Sequence, residues 1–167
     1  NMLLQISPDG ISKFSSYKNL IVDSILMRST SEQIADAALE GKLSTGEFMT
    51  IYKNYPHGRI THTEKICQDW FRYEEEMPRL DWEQTDSVAN VLGYECHSAR
   101  CMFRGREWTV FYTEDIPLMD GPWKFHGLPG LIMKAADENG HYTFECIGIK
   151  SQADRPITIY KVPFNKT

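Results

Sequence analysis

Long apolar runs are missing from this chain, and no stretch approaches the ~18 consecutive residues that a membrane-crossing helix requires. A basic surface is missing as well. Eighteen lysines and arginines are outnumbered by 23 aspartates and glutamates, and the net charge of −5 argues against nucleic acid, which needs clustered positive charge. No block of five like charges occurs; Glu74-Glu75-Glu76 is the longest acidic run and reads as a solvated strand end. No export signal is visible, because Met2-Leu3-Leu4 is followed at once by Gln5, Ser7 and Asp9. Internal repeats, low-complexity tracts and linkers are absent too.

Signatures of catalysis and metal binding are equally scarce. The chain has no Cys-x-x-Cys, no His-Glu-x-x-His and no His-x-x-x-His at helical spacing. His57 and His62 stand five apart, which turns them to opposite faces of a plain strand, and His97 points away from its neighbour Cys96. No metal and no cofactor is expected. A Gly-x-Ser-x-Gly elbow is absent, and the glycines of 121–130 lack the lysine of a phosphate loop. Glu114-Asp115 point to opposite sides and mark the turn before Pro117 rather than a shared acid/base site. Cysteine is sparse: Cys67, Cys96, Cys101 and Cys146 allow three full pairings and make no disulfide scaffold. Cys96 and Cys101 face opposite sides of a plain strand, which disfavours a bridge between them; in an oxidising compartment Cys67–Cys96 has a slight preference as neighbours in a strand meander, and buried free thiols stand equally open.

What is present is a core. With 41% apolar and 12% aromatic residues, the 167-residue chain reads as one domain over 1–167, with a hairpin and helices over 1–45 and an antiparallel sheet over 46–167. Residues 2–6 and 11–14 flank Ser7-Pro8-Asp9-Gly10 as a hairpin. Helices are expected over 17–27, capped by Ser16, and over 32–40, capped by Thr30 or Ser31 and stopped by Gly41. From residue 47 onward the pattern is strand after strand: 48–55, 59–73, 91–103, 106–113, 131–136, 141–149 and 157–162. Arg104-Gly105 and the turn ending Asn139-Gly140 mark hairpins. Alternation lines up Ala99, Cys101 and Phe103 with Trp108, Val110 and Tyr112 as one apolar face, repeated by Tyr142, Phe144 and Cys146. The expected class is α+β: a curved, mainly antiparallel sheet with two short helices near the N-terminus, a half-barrel of the lipoprotein-carrier (LolA-like) kind.

Residues 121–132, Gly-Pro-Trp-Lys-Phe-His-Gly-Leu-Pro-Gly-Leu-Ile, hold three glycines, two prolines and two aromatics. The prolines fix φ, Gly121, Gly127 and Gly130 permit φ > 0, and Pro129-Gly130 reads as the centre of a type II turn. Trp123, Phe125 and Leu128 give the loop an apolar load suited either to plugging a sheet or to lining a ligand site beside His126. Further motifs run in order along the chain: Leu4-Gln5-Ile6, Tyr73-Glu74-Glu75, Asp81-Trp82, Leu92-Gly93-Tyr94-Glu95-Cys96, Phe103-Arg104-Gly105-Arg106, Tyr112-Thr113-Glu114-Asp115-Ile116-Pro117 and Phe144-Glu145-Cys146. With the hexapeptide at 127–132 they resemble the GLPGLI family, exported proteins of Bacteroidetes-type bacteria without an established activity. The resemblance implies export to the periplasm or cell surface, and members normally begin with an export signal and an upstream strand that this chain does not show.

The leading functional expectation is a non-enzymatic exported protein. It would bind a lipid or other apolar or amphipathic ligand, or an envelope protein, through the concave sheet face, with Trp108, Trp123, Phe125, His126 and Leu128 lining or gating the site. Two alternatives stand beside it. One is a thiol- or histidine-dependent hydrolase using Cys96 or Cys101 with His97 or His126. The other is a structural module that pairs through an open sheet edge, including strand exchange between two copies. Arg104 and Arg106 flank a hairpin tip as a solvated turn or an anion site.

Overall fold

Hydrogen bonding between successive strands builds two separate sheets where the sequence pattern suggests one. The computed structural model describes residues 1–151 and 156–159. Its contacts divide the chain into a first unit, Asn1–Glu76 with the returning segment that begins at Ile157, and a second, Met77–Pro156. The break thus falls after residue 76, not at the 45/46 boundary expected within one domain. The α+β class holds: two helices, set between the second and third strands, accompany two antiparallel five-stranded sheets, neither closed into a barrel.

In the first unit, β1 (Met2–Ile6), β2 (Ser12–Ser16), β3 (Met49–Lys53), β4 (Arg59–Ile66) and β5 (Asp69–Glu76) pair in sequence order. The single strand expected over 59–73 is two strands folded back at Cys67, which takes φ 57°. Nothing in the residue types marks that turn, since Cys67-Gln68 is not turn chemistry. Phe14, Ile51 and Ile60 are fully or nearly fully buried, and the row Leu4–Phe14–Ile51–His62–Tyr73 runs straight across the sheet. Helix α1 (Tyr17–Arg28) follows β2 directly, and Ser16 stands at its N-cap without a capping side-chain bond. Helix α2 (Ser31–Leu39) is closed at both ends. Thr30 and Gln33 form a capping box. At the other end Gly41 at φ 70°, with Gly41 N–H to Ala38 O (3.1 Å) and Lys42 N–H to Ala37 O (2.9 Å), completes a Schellman motif. Lys13 Nζ and Tyr52 Oη both donate to the Thr158 carbonyl (3.3 Å each), which ties the returning segment to this unit. Of the strand expected over 157–162, residues 157–159 are irregular and 160–162 lie outside the described residues.

In the second unit, β6 (Glu83–Val91), β7 (Tyr94–Phe103), β8 (Arg106–Thr113), β9 (Leu131–Asp137) and β10 (Thr143–Glu145) form a meander with β6 and β10 at its edges. β6 escapes the sequence pattern because Glu-Gln-Thr-Asp-Ser-Val-Ala-Asn-Val carries little apolar signal. The turn that joins it to β7, Leu92-Gly93 at φ 54° and 86°, repeats the geometry of Arg104-Gly105 at φ 51° and 76°. Both are the mirror-image turns that suit strand twist. The face read from alternation is real: Ala99 pairs with Val110 and Cys101 with Trp108, and all four are buried together with Tyr112. Phe144 packs against this cluster, whereas Tyr142 stays 52% exposed. No disulfide joins the four cysteines. Cys67 sits exposed on a turn of the first unit and Cys96 is buried in the second, so the preferred Cys67–Cys96 bridge is not formed.

Candidate functional site

The segment 114–130 leaves β8, crosses one face of the second sheet and re-enters as β9. Backbone bonds pin it along its length: Leu131 N–H to Ile116 O (3.0 Å), Gly127 N–H to Met119 O (3.2 Å) and Ile132 N–H to Asp120 O (2.9 Å). From a distant part of the sequence, Trp82 donates its indole N–H to the His126 carbonyl at 2.9 Å.

Its glycines serve a purpose other than the expected one. Only Gly127, at φ 92°, uses the left-handed region. A β-carbon on Gly130 would overlap the Thr113 carbonyl, and one on Gly121 would stand 2.7 Å from the Ile132 β-carbon. These two glycines let backbone lie directly on backbone and side chain. Because Gly130 does not take positive φ, the type II turn expected at Pro129-Gly130 is not formed. The left-handed residue that no sequence rule indicates is Trp123, at φ 53°.

Of the five residues expected to line a site, Trp108, Phe125 and Leu128 come together in one buried cluster with Trp123 packed against it, while His126 follows Phe125 in the loop with its carbonyl held by Trp82. Phe125 is fully buried and Leu128 and Trp108 are 3% exposed, inside a cluster completed by Ile132, Ala135, Val110 and Tyr112. Trp108 lies 4.8 Å from Phe125, 5.6 Å from Trp123 and 6.5 Å from Phe144 between ring centroids. As seated, Phe125, Leu128 and Trp108 form a filled core and offer a ligand no surface. Trp123 and His126 keep partial exposure. Trp123 rests on Phe103 and Phe125, each at 5.4 Å. Beyond Phe103, the Arg104 guanidinium lies 5.4 Å from the Phe103 ring centroid. Arg106 stands 4.9 Å from the Tyr142 centroid and pairs with Asp137 at 2.8 Å. Asp137 also accepts the Tyr142 N–H at 2.8 Å, and that bond with the Arg106 contact holds its carboxyl below the ordinary range. The result is a rim of part-exposed rings, Phe103, Trp123, Tyr142 and Phe144, edged by two guanidinium groups. Phe103 and Phe144 reach the site along the apolar alternation of their strands, while Trp82 is brought there by its bond to the His126 carbonyl and Asp137 by pairing opposite Trp108, which residue types alone do not indicate.

The thiols are poorly placed for chemistry. Burial pushes Cys96 up, and pushes Cys101 up to about 11. Cys101 is one of six residues lining a hollow of about 340 Å³, with Asp81, Glu83, Arg100, Met102 and Glu107. Arg100 is engaged by Glu83 at 3.0 Å. The histidines stand apart: His62 stacks on Tyr73 at 4.8 Å in the first unit, and His97 faces Tyr112 at 6.3 Å in the second. Among the described residues, no three of His, Cys, Asp and Glu gather as a metal site.

Comparison with known proteins supports the fold and a family. Two crystal structures of PNGF-II, in C2 and P21 space groups, superpose with TM-scores of 0.57 and 0.54 at 15% and 13% identity. Each covers 92% of this chain, and the chain spans 25% of theirs, so the likeness is one of fold. No curated protein matches the chain. A model of proteins of unknown function, Porph_ging, matches residues 11–134, and the chain belongs to that family.

Proposed function

We propose that this is an exported, non-catalytic binding protein whose second unit presents the ring rim to an apolar or amphipathic ligand, with the loop as its rigid wall. One observation carries the reading: Trp123 is a bulky residue held at φ 53° yet left part-exposed. A left-handed tryptophan is costly, and such strain collects where a side chain must be presented in one orientation. A core plug alone would bury the ring. The raised thiols work against the alternative of a cysteine nucleophile. Export, and the narrower GLPGLI assignment, rest on the hexapeptide at 127–132 and the ordered motifs around it.

The test is a tryptophan-fluorescence titration with a monomeric lysophospholipid, together with native mass spectrometry of protein purified from its own host. Wild-type protein is expected to saturate and to carry lipid. Trp123→Gly, whose backbone adopts φ 53° without strain, should keep the fold and weaken binding about tenfold or more, roughly 1.4 kcal/mol. Absence of binding by the wild type, or equal affinity in the variant, overturns the proposal.

A further inference from the structure

Two arginines stand at the ring rim, and strand register explains why one of them faces it. Phe103 pairs directly with Arg106 across the hairpin between β7 and β8, and side chains directly opposite one another share a face. Along β8, Arg106 also alternates in step with Trp108 and Val110. Its guanidinium therefore rises on the side of the buried cluster, 4.9 Å from the ring centroid of the half-exposed Tyr142. Arg104, at the hairpin tip, brings a second guanidinium to 5.4 Å from the Phe103 centroid.

Arg106 is held from beneath. It donates through Nη1 to Asp137 Oδ2 at 2.8 Å, and the Asp137 side chain has no exposed surface. Asp137 lies opposite Trp108, so the pairing that seats the ring also seats the carboxylate. Its other oxygen accepts the Tyr142 N–H at 2.8 Å, and the exposed His141 stands 4.0 Å from Oδ2. A carboxylate buried this completely meets no ligand. It can, however, fix one edge of a guanidinium that keeps 36% of its side-chain surface exposed. A guanidinium carries five N–H donors in a planar fork, and one bond to Asp137 leaves donors for a second acceptor.

The geometry points to an acidic headgroup at this place: the amphiphile received by the ring rim is a single-chain anion, its carboxylate or phosphate held by Arg106. The assignment rests on the ligand reading above and narrows it. The acyl chain lies against Trp123 and Phe103, Asp137 is a positioning residue, and Arg104 adds a second cation at the hairpin tip. Charge makes the preference specific. The chain as a whole carries −5, so its general field repels anions, and only a local arrangement such as this one reverses that sign.

Tryptophan-fluorescence titrations at low salt test it, with lysophosphatidylglycerol, lysophosphatidylcholine and the fatty acid of the same acyl chain, each below its micelle concentration. Wild type is expected to bind the glycerol lipid about tenfold more tightly than the choline lipid, the scale of one charge-assisted hydrogen bond. The gap should narrow as salt rises. Fatty-acid binding as tight as that of the glycerol lipid makes a carboxylate sufficient, and weaker binding assigns the site to phosphate; either supports an acidic headgroup. Arg106→Gln combined with Asp137→Asn removes both charges, so that none is left buried alone. With unchanged circular dichroism, this variant should lose the preference and keep its affinity for the choline lipid. Arg106→Lys keeps the cation and should keep most of the preference. Equal wild-type affinities for the two lysophospholipids, a preference that survives in the neutral variant, or a lysine variant that behaves like the neutral one would overturn the headgroup assignment alone. Failure of wild type to bind any of the three would instead overturn the ligand reading on which it stands.

Discussion

Gly130 shows how little space separates the loop from the strand beneath it. A methyl group there must displace the Thr113 carbonyl, which is backbone and cannot swing away. Gly130→Ala is therefore expected to cost about 3 kcal/mol, the upper end of overpacking, read as a lower midpoint in urea. Gly140→Ala, at φ 67° in open space, meets only backbone strain and should cost about 1 kcal/mol. Thiol reactivity separates the cysteines in the same physical terms. Cys67 is exposed and Cys96 and Cys101 are buried, so maleimide should label Cys67 within minutes in the native state. Cys96 and Cys101 should react only in denaturant. Fast native labelling of either buried thiol, followed by mass spectrometry of peptides, would contradict the packing described.

At the scale of single elements, local chemistry was readable wherever a residue type forces a geometry. Thr30 with Gln33, and Gly41 after Leu39, delimit α2 in sequence and structure alike. Thr30→Ala should cost about 1 kcal/mol, since it strips one capping acceptor; an unchanged thermal midpoint would deny the cap its role. Strand limits were readable where apolar alternation was strong, as in β8, and lost where it was weak. β6 is a polar edge strand whose only structural signal is its pairing with β7. The turns at Cys67 and Leu92-Gly93 place non-glycine residues at positive φ, which the neighbouring strands impose and the residue types do not announce. Likewise the prolines and glycines of 121–132 marked a stiff loop correctly, but which glycine needs positive φ and which needs the missing β-carbon depends on what lies opposite.

For the whole molecule, pH reports the balance between buried and exposed groups. Cys101 is an acid whose folded value lies above its unfolded one, about 11 against roughly 8.5. Its neutral form is the one the fold prefers, so its contribution to stability is complete below the unfolded value. That contribution declines as pH rises from about 8.5 and is exhausted above about 11. Cys101→Ala should flatten that alkaline decline, measured as the thermal midpoint between pH 8 and 11 and compared with wild type. At the acid end the sign reverses. The Asp137 carboxyl is held below its usual range by the Tyr142 N–H and Arg106, so its stabilisation is present above the ordinary aspartate value and fades as pH falls below it. Asp137→Asn should lessen the acid loss.

Composition and periodicity by themselves determined the α+β class, the early helices, the apolar face of β7 and β8 and the aromatic loop destined to cover it, because these follow from side chains acting on their own neighbours. Tertiary structure alone decided the division into two sheets after Glu76, the left-handed Trp123 and the Trp82 anchor. Each of those depends on groups far apart in the chain, and residue order carries no term for what distant backbone will press against.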